Sequence, residues 1–68
     1  MNGRGQPLWF RLRQERIRRD YSQREAAERS GMSQQQWSMY ECGRHAPRAA
    51  TLVRMARALD LDVSELIG

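Results

Sequence analysis

Two helix-start signals separated by a glycine constrain the fold of this chain more than any other part of its sequence. Ser22 is followed three positions later by Glu25, and Ser33 is followed by Gln36 at the same spacing. In this pattern, the capping box, the serine hydroxyl accepts a hydrogen bond from a backbone N–H of the first helical turn. Gly31 lies between them, and glycine can end a helix because it adopts the left-handed conformation without steric cost. The segment is therefore predicted to fold as helix, tight turn, helix.

The second of these helices has one aromatic side and one amide-rich side. Trp37 and Tyr40 lie three residues apart, so they share a face. At about 100° per residue, Gln35 and Met39 point away from that face. The outward surface is completed by Gln34, Gln36 and Ser38. Exposed helix faces are usually charged, whereas a glutamine amide can pair with N6 and N7 of adenine in the DNA major groove. This face is either a base-contacting surface or a glutamine-rich surface without a partner.

The charge of the chain is concentrated in its first half. The sequence has 68 residues and a formal net charge of +4. All basic residues are arginine, and residues 1–30 contain eight arginines against four acids. A chain of this length holds a single domain with a small core. A small basic domain suggests a polyanionic partner, although excess arginine also serves solubility.

The sequence offers little support for an enzyme, a metal site or a membrane protein. Cys42 and His45 are the only residues of their types, so neither a zinc cluster nor a supported nucleophile can be assembled. No apolar run approaches the roughly 18 residues of a membrane-spanning helix, and no signal peptide is evident. We expect a cytoplasmic protein that has no cofactor, no bound metal, no membrane contact and no small-molecule ligand.

The N-terminal part is predicted to be a flexible arm followed by a helix. Residues 1–7 lack periodicity, and Pro7 suits the first position of a helix that would run to about Arg19. The expected inward residues of that helix are Leu8 or Trp9, Leu12 and Ile17. Arg13 and Arg16 fall near this thin apolar stripe. At least one of them is expected to lean across the core boundary toward an acid, for which Glu41 is the candidate.

Small side chains on one helix are predicted to match large ones on the next. Ala26, Ala27 and Ser30 occupy the inward positions of the helix that begins after Ser22. Such residues allow close approach of the neighbouring helix, which carries Trp37 and Tyr40. The exchange keeps the interior at native packing density.

The C-terminal part is predicted to add two further helices. Arg44, His45 and Arg48 lie in a loop and can bind anions, and Pro47 is expected to begin a helix with an ordinary apolar stripe. That stripe consists of Leu52, Met55, Ala56 and Leu59. A last capping box starts at Asp62. The chain is thus predicted to be all-α, a compact bundle of five helices without strands.

Apolar residues crowd the C-terminal end. They are Leu61, Val63, Leu66 and Ile67. Five short helices offer limited surface under which to bury them. These four residues either form a patch for self-association, such as a homodimer, or simply close the core.

Many residues from Phe10 to Ile67 follow the pattern of one family in the correct spacing. They are Leu12, Arg13, Arg16, Ile17, Ser22, Gln23, Ala27, Gly31, Ser33, Gln34, Gln35, Glu41, Cys42, Gly43, Arg44, Pro47, Thr51, Leu52, Met55, Ala56, Arg57, Ala58, Leu59, Glu65 and Leu66. In these positions the chain resembles the helix-turn-helix domain of the phage repressor and Cro family, also called the xenobiotic response element type. The resemblance implies a lambda-repressor-like domain over residues 8–68, with the helix-turn-helix at residues 22–42.

The resemblance also implies roles for several of the matching residues. Gln34, Gln35 and Met39 match positions that contact base edges in the major groove, with Ser38 beside them. Gln23 and Arg44 match positions of the family that contact phosphate. Helix starts and the basic loop add five more, so the residues expected to bind phosphate are Ser22, Gln23, Ser33, Gln36, Arg44, His45 and Arg48. Arg16 and Glu41 match a structural ion pair of the family. Two departures stand out: Cys42 replaces a residue that is often polar, and Asp60 replaces a frequent glycine at a helix end.

The expected function is that of a double-stranded DNA-binding transcriptional regulator. The family usually binds an inverted repeat as a dimer, and repression by occupancy, with possible contact to RNA polymerase, is the simplest outcome. Small members of the family also act as antitoxins or adaptor subunits, whose main ligand is another protein. Such chains usually carry an extra segment that wraps the partner. Because the sequence as given stops after the fifth helix, we expect DNA to be the main ligand.

Overall fold

Helices account for all the regular structure in the described part of the chain. The computed structural model describes residues 5–67, which form five α-helices and no strand. The helices are α1 (Leu8–Arg18), α2 (Gln23–Ser30), α3 (Gln34–Glu41), α4 (Ala49–Ala58) and α5 (Val63–Ile67). α2 packs against α3 and α4, whereas α1 packs against α3 and α5. The all-α, five-helix fold predicted from the sequence is confirmed.

The helix-turn-helix forms through the local signals that the sequence contains. The hydroxyl of Ser22 accepts a hydrogen bond from the backbone N–H of Glu25 at 3.0 Å. The hydroxyl of Ser33 accepts one from the N–H of Gln36 at 3.1 Å. Gly31 ends α2 in the left-handed conformation, with φ 72°. Each cap satisfies a backbone group that the end of a helix otherwise leaves without a partner.

Both prolines lie outside the helices that they were expected to begin. Pro7 precedes α1 with an extended ψ of 152°, so the helix starts at the next residue. Pro47 is separated by Arg48 from the start of α4 at Ala49. Part of the predicted arm, residues 1–4, lies outside the described residues.

Trp37 is the largest side chain of the core and is fully buried. Ala26 and Ala27 are also buried, and Ser30 is buried with its hydroxyl donating to the carbonyl of Ala26 at 2.8 Å. The other large, fully buried side chains are Leu12, Met55, Leu59 and Leu66. Large residues on α3 therefore do face small residues on α2, as the sequence predicts. This packing fixes the distance between the two helices.

Ile17 was expected to face the core but is 53% exposed, so that prediction was wrong. The inward side of α1 is set by the buried Leu12. Residues five apart on a helix are separated by about 140°, which turns Ile17 outward. The inward place one turn after Leu12 is taken by Arg16, whose side chain is only 14% exposed. The inward position is therefore occupied by Arg16, and Ile17 faces outward.

The apolar C-terminal residues do not form a single exposed patch. Leu66 is only 1% exposed and belongs to the core, so of the two alternatives it closes the core and does not contribute to a surface patch. Leu61 and Val63 are partly buried and pack against that core. Ile67 is 63% exposed. α5 packs one side against α1 and α4. Leu61, Val63 and Leu66 therefore contribute to closing the core, and Ile67 does not.

Arg54 connects α4 to the turn of the helix-turn-helix. Its Nε donates to the carbonyl oxygen of Ser30 at 3.0 Å, and its Nη2 donates to that of Gly31 at 2.8 Å. These carbonyls belong to the last turn of α2, where no intrahelical donor is available. A charged donor from a neighbouring helix therefore holds the end of α2 in place.

The carboxylate of Glu41 joins three helices at one buried point. Its oxygens accept from Nε and Nη2 of Arg16 at 2.7 and 2.9 Å. They also accept from the amide of Gln23 at 2.9 Å and from the indole N–H of Trp37 at 2.6 Å. Arg16 in turn donates through Nη1 to the carbonyl of Tyr21 at 2.8 Å. The expected ion pair is thus present, and two further donors complete it.

These contacts change the acidity of Glu41. Burial by itself raises the pKa of the carboxyl, but hydrogen bonds from Arg16, Gln23 and Trp37, with the charge of Arg16, outweigh that effect. The pKa is therefore lowered from its ordinary value of 4.5. A lowered pKa means that the folded state holds the charged carboxylate more tightly than the unfolded state does.

Acid is expected to destabilise the fold through Glu41. The stabilisation is complete at pH values above the ordinary 4.5 and is lost as the pH falls through the lowered pKa. Glu41→Gln is expected to cost about 3–5 kcal/mol at neutral pH, because it leaves Arg16 without its counter-charge. It should also flatten the loss of stability in acid. Urea unfolding of both proteins across the acidic range measures this, with the exposed Glu28→Gln as control. If the wild type, Glu41→Gln and Glu28→Gln lost stability equally in acid, Glu41 would not be the source of the acid sensitivity.

Two aspartates adopt the left-handed conformation just after helices. Asp20 has φ 59° and Asp60 has φ 57°, and among residues 5–67 they are the only non-glycine residues with positive φ. Left-handed backbone is costly for a residue with a Cβ, and aspartate tolerates it only in part. A negative charge at a helix C-terminus also opposes the helix dipole. The departure noted at Asp60 therefore carries a cost.

Asp60→Asn is expected to stabilise the protein by about 0.5–1 kcal/mol, because asparagine accepts this backbone more readily and removes the unfavourable charge. Thermal unfolding followed by circular dichroism measures the gain. Asp62→Asn is the matched control, because Asp62 precedes α5 and is not among the residues with positive φ. A gain of equal size in both variants would show that the conformation of Asp60 is not the cause.

Candidate nucleic-acid interface

α3 turns its glutamine side outward. Gln34, Gln35 and Gln36 are all exposed, whereas Trp37 is fully buried on the opposite side of the helix. Burial of one large aromatic side chain fixes the rotation of the helix about its own axis. The glutamine face is therefore held toward the surface by the packing beneath it.

The glutamines form part of a concave surface, which we call the α3 hollow. It is open to the surface and has a volume of about 590 Å³. The lining residues are Gln23, Gln34, Gln35, Ser38, Met39, Cys42 and Arg44. All four residues expected to contact bases line this one surface, together with two of those expected to bind phosphate. Met39 and Ser38 are half-buried, so they form the floor rather than the rim.

Gln23 reaches the α3 hollow from the first turn of α2. Its amide nitrogen donates to Glu41 at 2.9 Å, which orients the side chain. A primary amide has two N–H donors, so one hydrogen remains for a ligand. Gln23 is held in place before any ligand arrives.

The remaining residues expected at the helix starts lie outside the α3 hollow. Ser22 and Ser33 are exposed and act as caps of α2 and α3. Gln36 lines a neighbouring surface, which we call the loop hollow. The residues of the loop hollow are Gln36, Met39, Tyr40, His45, Ala46, Arg48 and Thr51. The positive end of a helix dipole lies at each cap, where anions are favoured.

The loop after α3 presents basic side chains from a fixed backbone. Gly43 is left-handed with φ 84°, and the N–H groups of Arg44 and His45 donate to the carbonyl of Met39 at 3.1 and 3.4 Å. Arg44, His45 and Arg48 are exposed. Within residues 5–67, none of the three forms an ion pair with a carboxylate. The positive charge of Arg44 and Arg48 is therefore available to an external anion.

A contact that the sequence did not reveal supports this loop from below. The indole ring of Trp9 lies against Gly43, so that a Cβ at that position would be only 2.9 Å from Cδ1 of Trp9. Sequence spacing left open whether Leu8 or Trp9 turns inward, and both are half-buried. Only the absence of a side chain at Gly43 permits the close approach. α1 thereby helps to position the loop that carries Arg44.

The arrangement suits recognition of a polyanion with bases along one groove. Amide groups provide paired donors and acceptors in the middle, and guanidinium groups lie at the edge. Within residues 5–67, no group of three or more His, Cys, Asp or Glu is placed to hold a metal ion. None of the helices in the same range is long and apolar enough to cross a membrane.

The chain is similar to known helix-turn-helix proteins in sequence and in structure. A family model described as a helix-turn-helix domain matches residues 10–66. No protein of curated function matches the chain in sequence. Solved structures do match. The restriction-modification controller protein C.AhdI from Aeromonas hydrophila is 29% identical, with a TM-score of 0.84 over 87% of this chain and 86% of that one.

Two further regulators have the same fold. The clp gene regulator ClgR from C. glutamicum is 30% identical, with a TM-score of 0.83 over 88% of this chain and 78% of that one. SinR, a master regulator for biofilm formation whose structure was solved in complex with DNA, is 27% identical, with a TM-score of 0.85 over 91% of this chain and 100% of that one. The chain therefore belongs to the helix-turn-helix family of DNA-binding regulators of the phage repressor and Cro type.

Proposed function

We propose that this protein is a transcriptional repressor that binds an inverted-repeat operator in double-stranded DNA as a dimer. One observation carries the proposal: an exposed row of glutamines on α3, held outward by the buried Trp37 and bordered by arginines that form no ion pair within residues 5–67. The DNA complex of SinR supports the choice of ligand. Contacts to bases provide sequence specificity, and contacts to phosphates fix position along the duplex.

The base contacts divide between amide and apolar groups. Gln34 and Gln35 are exposed and can each bind adenine through N6 and N7. Met39 lacks a paired donor and acceptor, so its contribution is apolar contact with a thymine methyl group. Ser38 lies beside it and can hydrogen-bond to either kind of base edge. The expected half-site is therefore rich in A·T pairs.

Phosphate contacts surround this central surface. Arg44, His45 and Arg48 project from the loop after α3, and Gln23 lies at the start of α2. The capped helix starts at Ser22, and at Ser33 with Gln36, add backbone N–H groups and the positive ends of two dipoles. These contacts do not depend on sequence.

A dimer follows from the small size of the base-contacting element. α3 has eight residues and is therefore about 12 Å long, which spans about four base pairs. Two copies related by a two-fold axis double that site and explain the inverted repeat. Ile67 is 63% exposed on α5 and is the proposed centre of the contact between copies.

Repression would follow from occupancy of a promoter in the cytoplasm. The bound dimer either excludes RNA polymerase or contacts it, depending on where the operator lies. Selection of bound duplexes from a random library tests ligand, palindromy and half-site spacing together. An enriched inverted repeat supports the proposal. Absence of any DNA binding at low salt, with recovery of a stoichiometric protein partner, would instead indicate an antitoxin or adaptor subunit.

Gln35→Ala is expected to weaken binding to the selected operator by about 1–3 kcal/mol and to relax preference at one position, because a bidentate base contact is lost. Repeating the selection with the variant measures this. Gln14→Ala is the control, since Gln14 is an exposed glutamine on α1 that lines neither hollow. An unchanged preference at every position would remove Gln35 from the base-contacting set.

Arg44→Gln is expected to weaken binding to operator and unrelated duplexes by the same factor, because it removes a phosphate contact. The slope of log affinity against log salt should fall in magnitude by about 0.9. Fluorescence anisotropy over a salt series measures both. The control is Arg57→Gln, an exposed arginine near the end of α4. A loss confined to the operator sequence would indicate a base contact instead.

A further inference from the structure

Arginines cluster on and just after α1, and one of them differs from the others. They are Arg11, Arg13, Arg16, Arg18 and Arg19. Arg11 contacts the carbonyl of Glu65, and Arg16 pairs with Glu41. Arg18 and Arg19 both lie within ion-pair distance of Glu15. Within residues 5–67, Arg13 has neither a carboxylate nor a carbonyl partner, and it is exposed.

The surroundings of Arg13 connect it to the candidate interface. It lines a third concave surface, which we call the α1 hollow. The residues of the α1 hollow are Trp9, Arg13, Arg16, Gln23, Glu41 and Cys42. Gln23 and Cys42 also line the α3 hollow, so the two surfaces share a border. The loop hollow meets the α3 hollow at a different border, along Met39.

The charges in the α1 hollow leave an excess of one positive group. Glu41 is the only carboxylate there, and its side chain is just 3% exposed. Arg16 neutralises it through two hydrogen bonds. Arg13 lies one helical turn before Arg16 on the same side of α1, so two like charges share a hollow that contains a single acid. An external anion would relieve this repulsion.

The alternatives internal to the protein do not account for Arg13. Trp9 is one turn away on the same helix, yet the only stacking of an arginine on an aromatic ring in the described range is that of Arg29 on Tyr21. The Nε and Nη2 atoms of Arg16 already occupy both oxygens of Glu41. Among residues 5–67, Arg13 is thus a donor group without a partner, beside the candidate DNA-binding surface.

We propose that Arg13 binds a phosphate of the DNA backbone, so that the contact surface extends from the helix-turn-helix onto α1. The inference rests on the proposed function and names one more phosphate ligand for it. Gln23, with one amide hydrogen unused, lies on the shared border and can contact the same phosphate or its neighbour. Basic groups then flank the glutamine face along two borders, with Arg13 at one and Arg48 at the other.

The salt dependence of DNA binding tests this assignment. Arg13→Gln is expected to reduce affinity for operator and unrelated duplexes by the same factor and to lower the magnitude of the salt slope by about 0.9. Arg13→Lys keeps the charge and should keep the slope. The matched control is Arg18→Gln on the same helix, where the side chain is 75% exposed and pairs with Glu15. Its slope should equal that of the wild type.

The results separate this inference from the proposed function. If Arg13→Gln retains the wild-type slope while Arg44→Gln lowers it, Arg13 is not a phosphate ligand and the proposed function stands. If the wild type binds no duplex, both the proposed function and the inference about Arg13 fail. Thermal unfolding of every variant checks that the fold is intact. Arg13→Met, which keeps the aliphatic stem, replaces the glutamine variant if that protein is less stable.

Discussion

The fold depends on a single buried carboxylate. Glu41 receives donors from Arg16 on α1, Gln23 on α2 and Trp37 on its own helix. A buried charge is tolerated only when it is paired and its lone pairs are used, and here both conditions are met. The cluster therefore stabilises one relative placement of three helices, and it orients a side chain that reaches the surface. Through the amide of Gln23, the core cluster and the candidate binding surface share a side chain.

The buried charge of Glu41 is neutralised by one arginine inside the protein, so the arginines at the surface are available for binding. Arg16 is used by Glu41, whereas Arg44 and Arg48 remain exposed around a neutral amide face. Long-range attraction between arginine and phosphate supplies affinity for any duplex. In the proposed interface, the amides of Gln34 and Gln35 add discrimination only after contact, because they carry no net charge. The proposed function thus assigns affinity and specificity to different residues within one surface.

Local chemistry explains why the helix-turn-helix could be predicted. Ser22 and Ser33 act on the first turn of their own helices, and Gly31 acts on its own backbone. The size match between Trp37 and the small residue Ala26 can also be predicted, because the sequence shows both the size of each residue and its spacing along the helix. These features need no knowledge of distant parts of the chain. This information alone was enough to locate α3 and to identify its outward face.

Tertiary context explains the errors. Ile17 has the right hydrophobicity for the core, but the requirement of Glu41 for Arg16 sets the rotation of α1 and turns Ile17 outward. Leu66 was grouped with its apolar neighbours because sequence does not show which side of a five-residue helix meets α1 and α4. The role proposed for Arg13 could not be predicted from the sequence for the same reason. Whether it or Arg16 reaches the acid depends on geometry between helices.

The contact between Trp9 and Gly43 has a consequence for the evolution of such domains. Because the indole ring occupies the space of a side chain at position 43, the two positions cannot vary independently. A relative that carries any larger residue at the position of Gly43 needs a smaller one at that of Trp9. Homologous sequences should therefore carry a larger residue at the position of Gly43 only where the residue at that of Trp9 is smaller, and the left-handed φ of 84° restricts position 43 further.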